Sequence, residues 1–315
     1  MPLFTIAIPA YKALYFGEAI ESCLAQTFQD FELVIVDDAS PEKLGEIVGR
    51  YNDTRIRYCR NERNCGAVNV VDNWNKCLEY ANGQYIICMG DDDKLLPKCL
   101  ELYNDLIAKY PNLNIFHAWT QIIDDKSQVF DLQESRPEWE SALSAQYYRW
   151  QHRWKQYIGD YCFRVAHLRK EGGFFKLPLA WGSDDVTVFR AGLENGIANT
   201  QQFGFQYRKN PHTISNSGNQ QLKASAHVKE WKWFAENLNM MECDNEQDKL
   251  FLSFLLRDID EHYRQKIHDM LEEDLSLHSF NIRYWLENAA SYNLSQSEVY
   301  QMAWHVIRKN KRIRF

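Results

Sequence analysis

The sequence predicts an α/β fold: a mainly parallel sheet flanked by helices, followed by a C-terminal α-helical extension. Short apolar runs of strand length recur early in the chain and alternate with segments of 3.6-residue apolar period. Two of those runs end in adjacent aspartates, Asp37-Asp38 and Asp91-Asp92-Asp93, which puts both acidic clusters at one edge of a parallel sheet. From about residue 220 only helical periods remain.

Phe4-Thr-Ile-Ala-Ile8 reads as the first strand, stopped by Pro9. A helix opening at Gly17 aligns Ile20, Cys23, Leu24 and Phe28 on one face. Phe31-Glu-Leu-Val-Ile-Val36 is nearly all apolar, as a strand covered on both faces should be. Ser40-Pro41 predicts an N-cap and first helical position, with Leu44, Ile47, Val48 and Tyr51 as the apolar stripe. Arg55–Tyr58 reads as a short strand. Val68, Val71, Trp74, Leu78 and Ala81 give a helix that Gly83 is expected to stop. Gln84–Met89 is the next strand, and Pro97 marks the start of a helix through Leu100, Tyr103, Ile107 and Tyr110. Asn114–Trp119 is a further strand.

From Asp124 the pattern loosens. Trp139 to Trp154 has helical spacing, Gly172-Gly173 is a turn, and Ser183-Asp184-Asp185 leads into a helix with Val186, Phe189 and Leu193. Phe203–Arg208 is strand-like. The polar loop Asn210–Gly218 is the expected boundary between a first domain, 1–218, and a helical domain, 219–315. In the latter, Val228, Trp231, Phe234 and Leu238 share a face, Leu250 to Ile267 is more apolar, and Ser295-Gln-Ser-Glu298 is a capping box. These apolar faces are too large to leave in water, so they should pack on the first domain or pair two subunits as a homodimer.

A net charge of -7 and a pI near 5.8 argue against a nucleic-acid partner. No apolar run approaches the ~20 residues that span a bilayer, and Met1-Pro2-Leu3 runs straight into a strand, so a cytoplasmic protein is expected. Eight cysteines occur without a C-x-x-C pair, and Cys23, Cys77 and Cys88 fall within apolar patterns, as reduced core residues do. The tail from Arg308 to Phe315 mixes basic and apolar residues. It suits peripheral contact with the anionic inner face of the plasma membrane, or simply a solubilising terminus. Neither a G-x-G-x-x-G after the first strand nor a G-x-x-x-x-G-K-[ST] occurs, which excludes the usual dinucleotide and P-loop sites.

The stretch that organises the chemistry is Gly90-Asp-Asp-Asp93. Three adjacent carboxylates repel one another and need solvation or a cation, and hard cations take oxygen ligands. A solvated acidic turn ahead of a helix is the competing reading.

Taken as an ordered set, the motifs resemble the family 2 glycosyltransferases, inverting enzymes of the GT-A fold. Ile6-Ala-Ile-Pro-Ala-Tyr11 is similar to the family opening I-P-x-Y-N, with Lys12 at the usual Asn. Gln26 to Ser40 follows Q-T-x-x-x-x-E-[IL]-[IV]-[IV]-V-D-D-[GA]-S almost throughout. Asn73–Lys76, Ala81–Tyr85, Gly90–Asp93 placed four residues ahead of Pro97, Gly172-Gly-Phe174, Ser183–Asp185, Arg190 and Tyr207-Arg208 match later landmarks. The resemblance covers roughly residues 3 to 217 and leaves the C-terminal third unmatched. Gly90 departs from the D-x-D-D metal motif at its first Asp, while Asp91 and Asp92 keep the register of members with T-D-D. The Q-x-x-R-W motif of processive members is absent, which favours transfer of one sugar.

What the resemblance implies is a donor that is a nucleoside diphosphate sugar, with UDP the expected nucleotide, and a glycan or lipid-linked acceptor in cell-surface polysaccharide synthesis. It implies Mn²⁺ or Mg²⁺ held by Asp92, with Asp93 or Asp91 adjacent, Asp91 accepting from the ribose, and Asp38 accepting from the uracil N–H. Pro9, Ala10 and Tyr11 would frame the base, with Asn64 or Arg60 along the nucleotide. Asp185 is the implied base that takes the acceptor hydroxyl proton, with Asp184 the alternative. Arg208 and His212 stand where they could meet diphosphate or acceptor, and Trp150, Trp154 and Trp181 suit sugar stacking or a helical core equally. A sugar-1-phosphate nucleotidyltransferase is the competing enzyme class, but its G-x-G-x-R loop is absent. A catalytically silent nucleotide-sugar or glycan binding protein is the alternative outside enzymes, supported by Gly90 and opposed by Asp91, Asp92 and Asp185.

Overall fold

The computed structural model describes residues 1–209 and 219–312. His212, the polar loop 210–218 and the end of the basic tail lie outside the described residues. The chain divides into two units: Met1–Lys176 with Ser183–Thr213, and Leu177–Gly182 with Ile214–Phe315.

The first unit is built on a sheet of ten strands among the described residues. They are β1 (Phe4–Ala10), β2 (Phe31–Asp37), β3 (Ile56–Arg60), β4 (Tyr85–Cys88), β5 (Lys94–Leu95), β6 (Ile115–Ile123), β7 (Val129–Leu132), β8 (Trp139–Glu140), β9 (Tyr161–Arg164) and β10 (Ile197–Arg208). The order along the sheet is β3-β2-β1-β4-β9-β6-β10-β5, with β7 paired to β6 and β8 to β10. β3, β2, β1 and β4 run parallel, and so do β6 and β10. The apolar runs of β1, β2 and β4 are buried almost without a break, because helices cover both faces of a parallel sheet. The chain leaves β1 toward β2 and β3 on one side, then returns to place β4 on the other. That reversal makes the carboxyl edge of β1 and β4 a topological switch point, where open α/β sheets hold ligands.

Several expectations need correction. β1 does not stop at Pro9: it runs to Ala10, with Pro9 opposite Val36 in register. A proline is tolerated where its missing N–H is not required by the ladder. No helix begins at Ser40. The helix α2 is Leu44–Val48, and Ser40 Oγ instead accepts from Glu42 N at 3.0 Å while donating to Tyr11 O at 2.6 Å. Gly83 does not end α3 (Val70–Tyr80), which stops when Ala81 turns extended. A Cβ at Gly83 would sit 2.5 Å from Thr5 N, so glycine there permits close approach to β1. Pro97 precedes α4 (Cys99–Lys109) by two residues rather than opening it. The expected mainly parallel sheet is present, with β9 inserted antiparallel between β4 and β6 in its centre.

The remaining helices of the first unit are α1 (Phe16–Leu24), α5 (Ala142–Trp150), α6 (Val165–Lys170) and α7 (Ser183–Gly192). Cys23, Cys77 and Cys88 are buried free thiols.

The second unit holds α8 (Gln220–Asn239), α9 (Glu246–Leu277), α10 (Ile282–Asn288) and α11 (Gln296–Arg312). Its own core gathers Tyr263, Ile267, Leu271, Leu275, Trp285, Val299 and Val306, so much of the apolar surface is covered within the unit. Trp285 Nε1 donates to Asp274 at 2.7 Å. The capping box before α11 forms: Glu298 N donates to Ser295 Oγ and Ser295 N donates to Glu298 Oε2. No helix among the described residues is long and apolar enough to cross a membrane.

Candidate active site

At the end of β2 the two aspartates divide. Asp37 is fully buried and saturated by Ser40 N, Tyr58 OH and Arg60 Nη1, so it ties down the turn. Asp38 closes onto β1 through its N–H to Ala10 O, 2.9 Å. Its carboxylate accepts from Asn61 Nδ2 and Cys65 N, each at 2.9 Å, and its carbonyl accepts from Asn64 Nδ2 at 2.7 Å. Arg60 donates to Asp37 and to Ser40 O. Asn64 and Arg60 therefore brace the Asp38 loop.

Past the end of β4, Asp91 reaches across the edge to the residues that follow β1. One oxygen, Oδ2, accepts from both Tyr11 N (2.6 Å) and Lys12 N (2.7 Å). Loss of water raises the Asp91 carboxyl to about 6, against the pull of those two N–H groups. Asp93 is buried and raised well above the ordinary carboxyl range, first by burial and then by the Asp92 charge. Its Oδ1 accepts from Arg208 N at 2.9 Å. The sequence thus brings Pro9, Ala10, Tyr11, Asp38, Asn64, Asp91, Asp92 and Asp93 to one sheet edge.

Gly90 is where the first Asp of the metal motif is missing. A Cβ there would lie 2.9 Å from Asp92 Oδ1 and 2.9 Å from Asp93 Oδ2. The glycine leaves open the space these two oxygens border. Among the described residues no set of three His, Cys, Asp or Glu side chains converges as a metal cage. Two carboxylate oxygens nonetheless fit Mg²⁺ or Mn²⁺, since Mg²⁺ commonly takes one or two carboxylates and completes its shell with substrate phosphates and water.

Arg208 is the residue whose role sequence reasoning misjudged. It is fully buried and its donors are committed: Nε to Asp92 O (2.7 Å), Nη1 to Asp124 O (2.9 Å), Nη2 to Glu18 Oε2 and Ser127 Oγ (3.0 Å each). Its guanidinium also covers the Tyr15 ring. An arginine spent in this way holds the acidic motif and does not reach a substrate.

The second acidic pair opens α7. Asp185 is buried, and its Oδ1 accepts from Arg149 Nε (2.8 Å) and Gln156 Nε2 (3.2 Å). Asp184 is half-buried; desolvation, and then the Asp185 charge, push it up to about 7. Gln156 and Tyr157 join this pair to the first cluster. Gln156 binds Asp185, while the neighbouring Tyr157 stacks on Tyr207, the residue before Arg208. Neither Gln156, Tyr157 nor Arg149 carries a sequence motif that marks it. The one signal was a long aromatic and basic stretch where regular periods fail.

The tryptophans considered for sugar stacking differ. Trp150 is buried, Trp154 donates to Glu140 Oε2 at 3.0 Å, and Trp181, in the second unit, donates to His227 Nε2 at 2.7 Å.

Residues 5–171 match the family model for glycosyl transferase family 2. The uncharacterized glycosyltransferase MJ1057 of Methanocaldococcus jannaschii is 33% identical over 142 residues, 44% of this chain and 47% of that protein. The Escherichia coli UDP-Glc:alpha-D-GlcNAc-diphosphoundecaprenol beta-1,3-glucosyltransferase WfgD is 30% identical over 128 residues, 40% of this chain and 49% of that one. The aligned chain thus spans about half the length of these curated relatives. Among solved structures, a crystal structure of S. aureus TarS in complex with UDP-GlcNAc superposes with TM-score 0.67 at 16% identity, covering 98% of this chain and 92% of that one. TarS therefore shares the GT-A-type fold. With a match that takes in more than half of its residues and the whole of the β1 to β4 edge, the chain belongs to glycosyl transferase family 2.

Proposed function

We propose that this protein is a metal-dependent inverting glycosyltransferase. It moves one sugar from a nucleoside diphosphate sugar, a UDP-sugar, to a hydroxyl of a glycan or lipid-linked acceptor in cell-surface polysaccharide synthesis. The observation that carries the reading is the linkage of two acidic centres through Gln156 and Tyr157: one at the β1–β4 switch point, one at the start of α7. The UDP-sugars named for WfgD and TarS support the choice of donor.

In this reading Asp38 accepts from the uracil N–H, with Pro9, Ala10 and the exposed Tyr11 around the base and Asn64 bracing the Asp38 loop. Asp91 spends Oδ2 on the β1 loop and offers its other oxygen to the ribose. Asp92 and Asp93 would hold the divalent cation, which supplies positive charge against the leaving diphosphate. Asp185 takes the proton of the attacking hydroxyl. Arg149 and Gln156 both donate to its Oδ1, so among the described contacts Oδ2 is the oxygen that can receive that proton. Asp184, whose carboxyl is raised by desolvation and then by the Asp185 charge, orients the acceptor through a hydrogen bond. The chemistry needs the base in line with the sugar and opposite the leaving group, and removal of such a base typically costs ~10²–10⁴-fold.

The test is a screen of UDP-sugars read by UDP release, repeated with excess EDTA and with Asp185→Asn. Release that requires Mn²⁺ or Mg²⁺ and falls at least ~10²-fold in Asp185→Asn, with UDP affinity unchanged, supports the assignment. Full turnover in EDTA rejects the metal; UDP-sugar binding without transfer points to the silent binding protein.

Membrane contact belongs to the same proposal. Tyr300, Trp304 and Ile307 are exposed on one side of α11, and Arg308 packs over Trp304. Aromatic and aliphatic groups beside cations suit an anionic bilayer surface. Co-sedimentation with phosphatidylserine vesicles but not with phosphatidylcholine vesicles is the expected result. A dimer in ultracentrifugation that Trp304→Ser dissolves would assign this face to a second copy.

A further inference from the structure

We infer that a buried hydrogen-bond relay, Arg136 to Tyr161 to Gln156, sets the orientation of the Asp185 carboxylate, with Tyr161 and Gln156 as positioning residues. The inference rests on Asp185 being the base of the proposed transfer. Arg136 Nη1 donates to Tyr161 OH at 3.0 Å, Tyr161 OH donates to Gln156 Oε1 at 3.0 Å, and Gln156 Nε2 donates to Asp185 Oδ1 at 3.2 Å.

The direction of every bond in this chain is fixed by its ends. A guanidinium has donors only, so the Tyr161 oxygen must accept from Arg136 and turn its proton toward Gln156. An ionised carboxylate accepts only, so the amide NH₂ of Gln156 must face Asp185 and its carbonyl must face Tyr161. Without the tyrosine hydroxyl, only the 3.2 Å contact with Asp185 holds the amide in this orientation, and its carbonyl end loses its donor. A flipped amide would set its oxygen against Asp185 Oδ1, which repels the ionised form.

The relay is anchored away from solvent. Tyr161, on β9 in the sheet centre, is fully buried, and Arg136 is 3% exposed. Arg136 is held in turn by Lys155 O at 2.5 Å and faces Glu140, which accepts from Asn199 and Trp154. Arg136 Nε is buried without a hydrogen-bond partner, but Nη1 and Nη2 are both engaged, and a buried polar chain held in this way is costly to break at one link. Arg149, the other donor to Asp185, is 30% exposed at its side chain and lies outside the relay. The two donors therefore differ: one is a charge near the surface, the other the end of a line fixed in the core.

The experiment uses the full chain and four variants. Tyr161→Phe keeps the ring and deletes the hydroxyl; Gln156→Ala changes a half-buried residue outside the core and covers the case in which Tyr161→Phe does not fold. Asp185→Asn is the control. Each is measured for kcat, KM of the UDP-sugar, UDP affinity and the pH profile of kcat. The expected result is a kcat lower by about 10-fold in Tyr161→Phe and Gln156→Ala, an acid limb moved to higher pH, and unchanged UDP affinity. Gln156→Glu, which puts a like charge beside Asp185, should move that limb further. If Asp185→Asn is inactive while both relay variants keep the wild-type kcat and pH profile, the relay is overturned and the base assignment stands. If Asp185→Asn retains transfer, the base assignment falls and the relay with it.

Discussion

The rings of Tyr157 and Tyr207 lie face to face, with centroids 3.8 Å apart and 15° between their planes. One ring belongs to the segment that binds Asp185, the other sits beside the arginine that binds Asp92 and Asp93. A displaced stack would therefore move one acidic centre relative to the other. Such aromatic pairs are worth about 0.5–1.5 kcal/mol beyond area burial. In a double-mutant cycle of Tyr157→Leu and Tyr207→Leu, urea unfolding should return a coupling of that size, and each single change should lower sugar transfer several-fold. Zero coupling would show that the stack does not hold the two centres together.

Gly90→Ala should act on the cation. The added methyl would meet Asp92 Oδ1 and Asp93 Oδ2 at 2.9 Å, closer than a Cβ normally comes to any atom. One of the two carboxylates must then turn away. The Mn²⁺ concentration that gives half-maximal transfer should rise by about 10-fold, on the order of one lost oxygen ligand or less. A variant with wild-type metal dependence would remove Asp92 and Asp93 as the holding pair.

Asp38→Ala should erase discrimination between nucleotides. Wild type is expected to bind UDP well over 10-fold more tightly than ADP, because a site that hydrogen-bonds one base rejects another that offers its carboxylate no matching donor. Titration calorimetry of the variant should give two similar affinities. Since Cys65 N and Asn61 would also lose their acceptor, its thermal midpoint should be recorded alongside. A folded variant that still prefers UDP would move base recognition elsewhere.

Asp160 gives a pH dependence of stability with a definite sign. It is fully buried, accepts from Thr120 Oγ1 at 2.9 Å, and burial pushes its carboxyl up to about 7. In the unfolded chain the same group titrates near 3.9. Between those values the folded state holds the extra proton. Stability is greatest at low pH, falls as pH rises from about 4 toward 7, and stays reduced above. Asp160→Asn removes this loss, so the stability difference between wild type and variant should change by on the order of 2–4 kcal/mol between pH 4 and 8. Urea midpoints that run parallel across the range would exclude it.

The sequence was most readable where strands are covered on both faces. β1, β2 and β4 show as apolar runs because each is buried on both sides, and their acidic tips are visible as breaks in hydrophobicity. β9 was missed because Tyr161-Cys-Phe-Arg164 is four residues long and follows Gly159-Asp160 with no alternation to distinguish it from loop. β5, two residues long, shows only through its pairing with β10. In the site, the aspartates were legible because adjacent carboxylates are costly to bury. Gln156, Tyr161 and Arg136 were not, since a hydrogen-bonding side chain inside an aromatic stretch has no periodic signature and acquires its role through contacts distant in sequence. Arg208 was read as a substrate contact because position alone cannot tell an arginine that faces a ligand from one that is fully buried.

The clasps at the acidic edge also impose an order of assembly. Asp91 meets Tyr11 across 80 positions of chain, and Arg208 meets Asp93 across 115. Closing such spans costs entropy before any contact rewards it, so long-range pairs of this kind form slowly. During synthesis from the N-terminus, the three aspartates emerge long before the arginine that secures them. A chain interrupted anywhere between Asp93 and Arg208 carries the full acidic motif without the contacts that hold Asp93 and the Asp92 peptide.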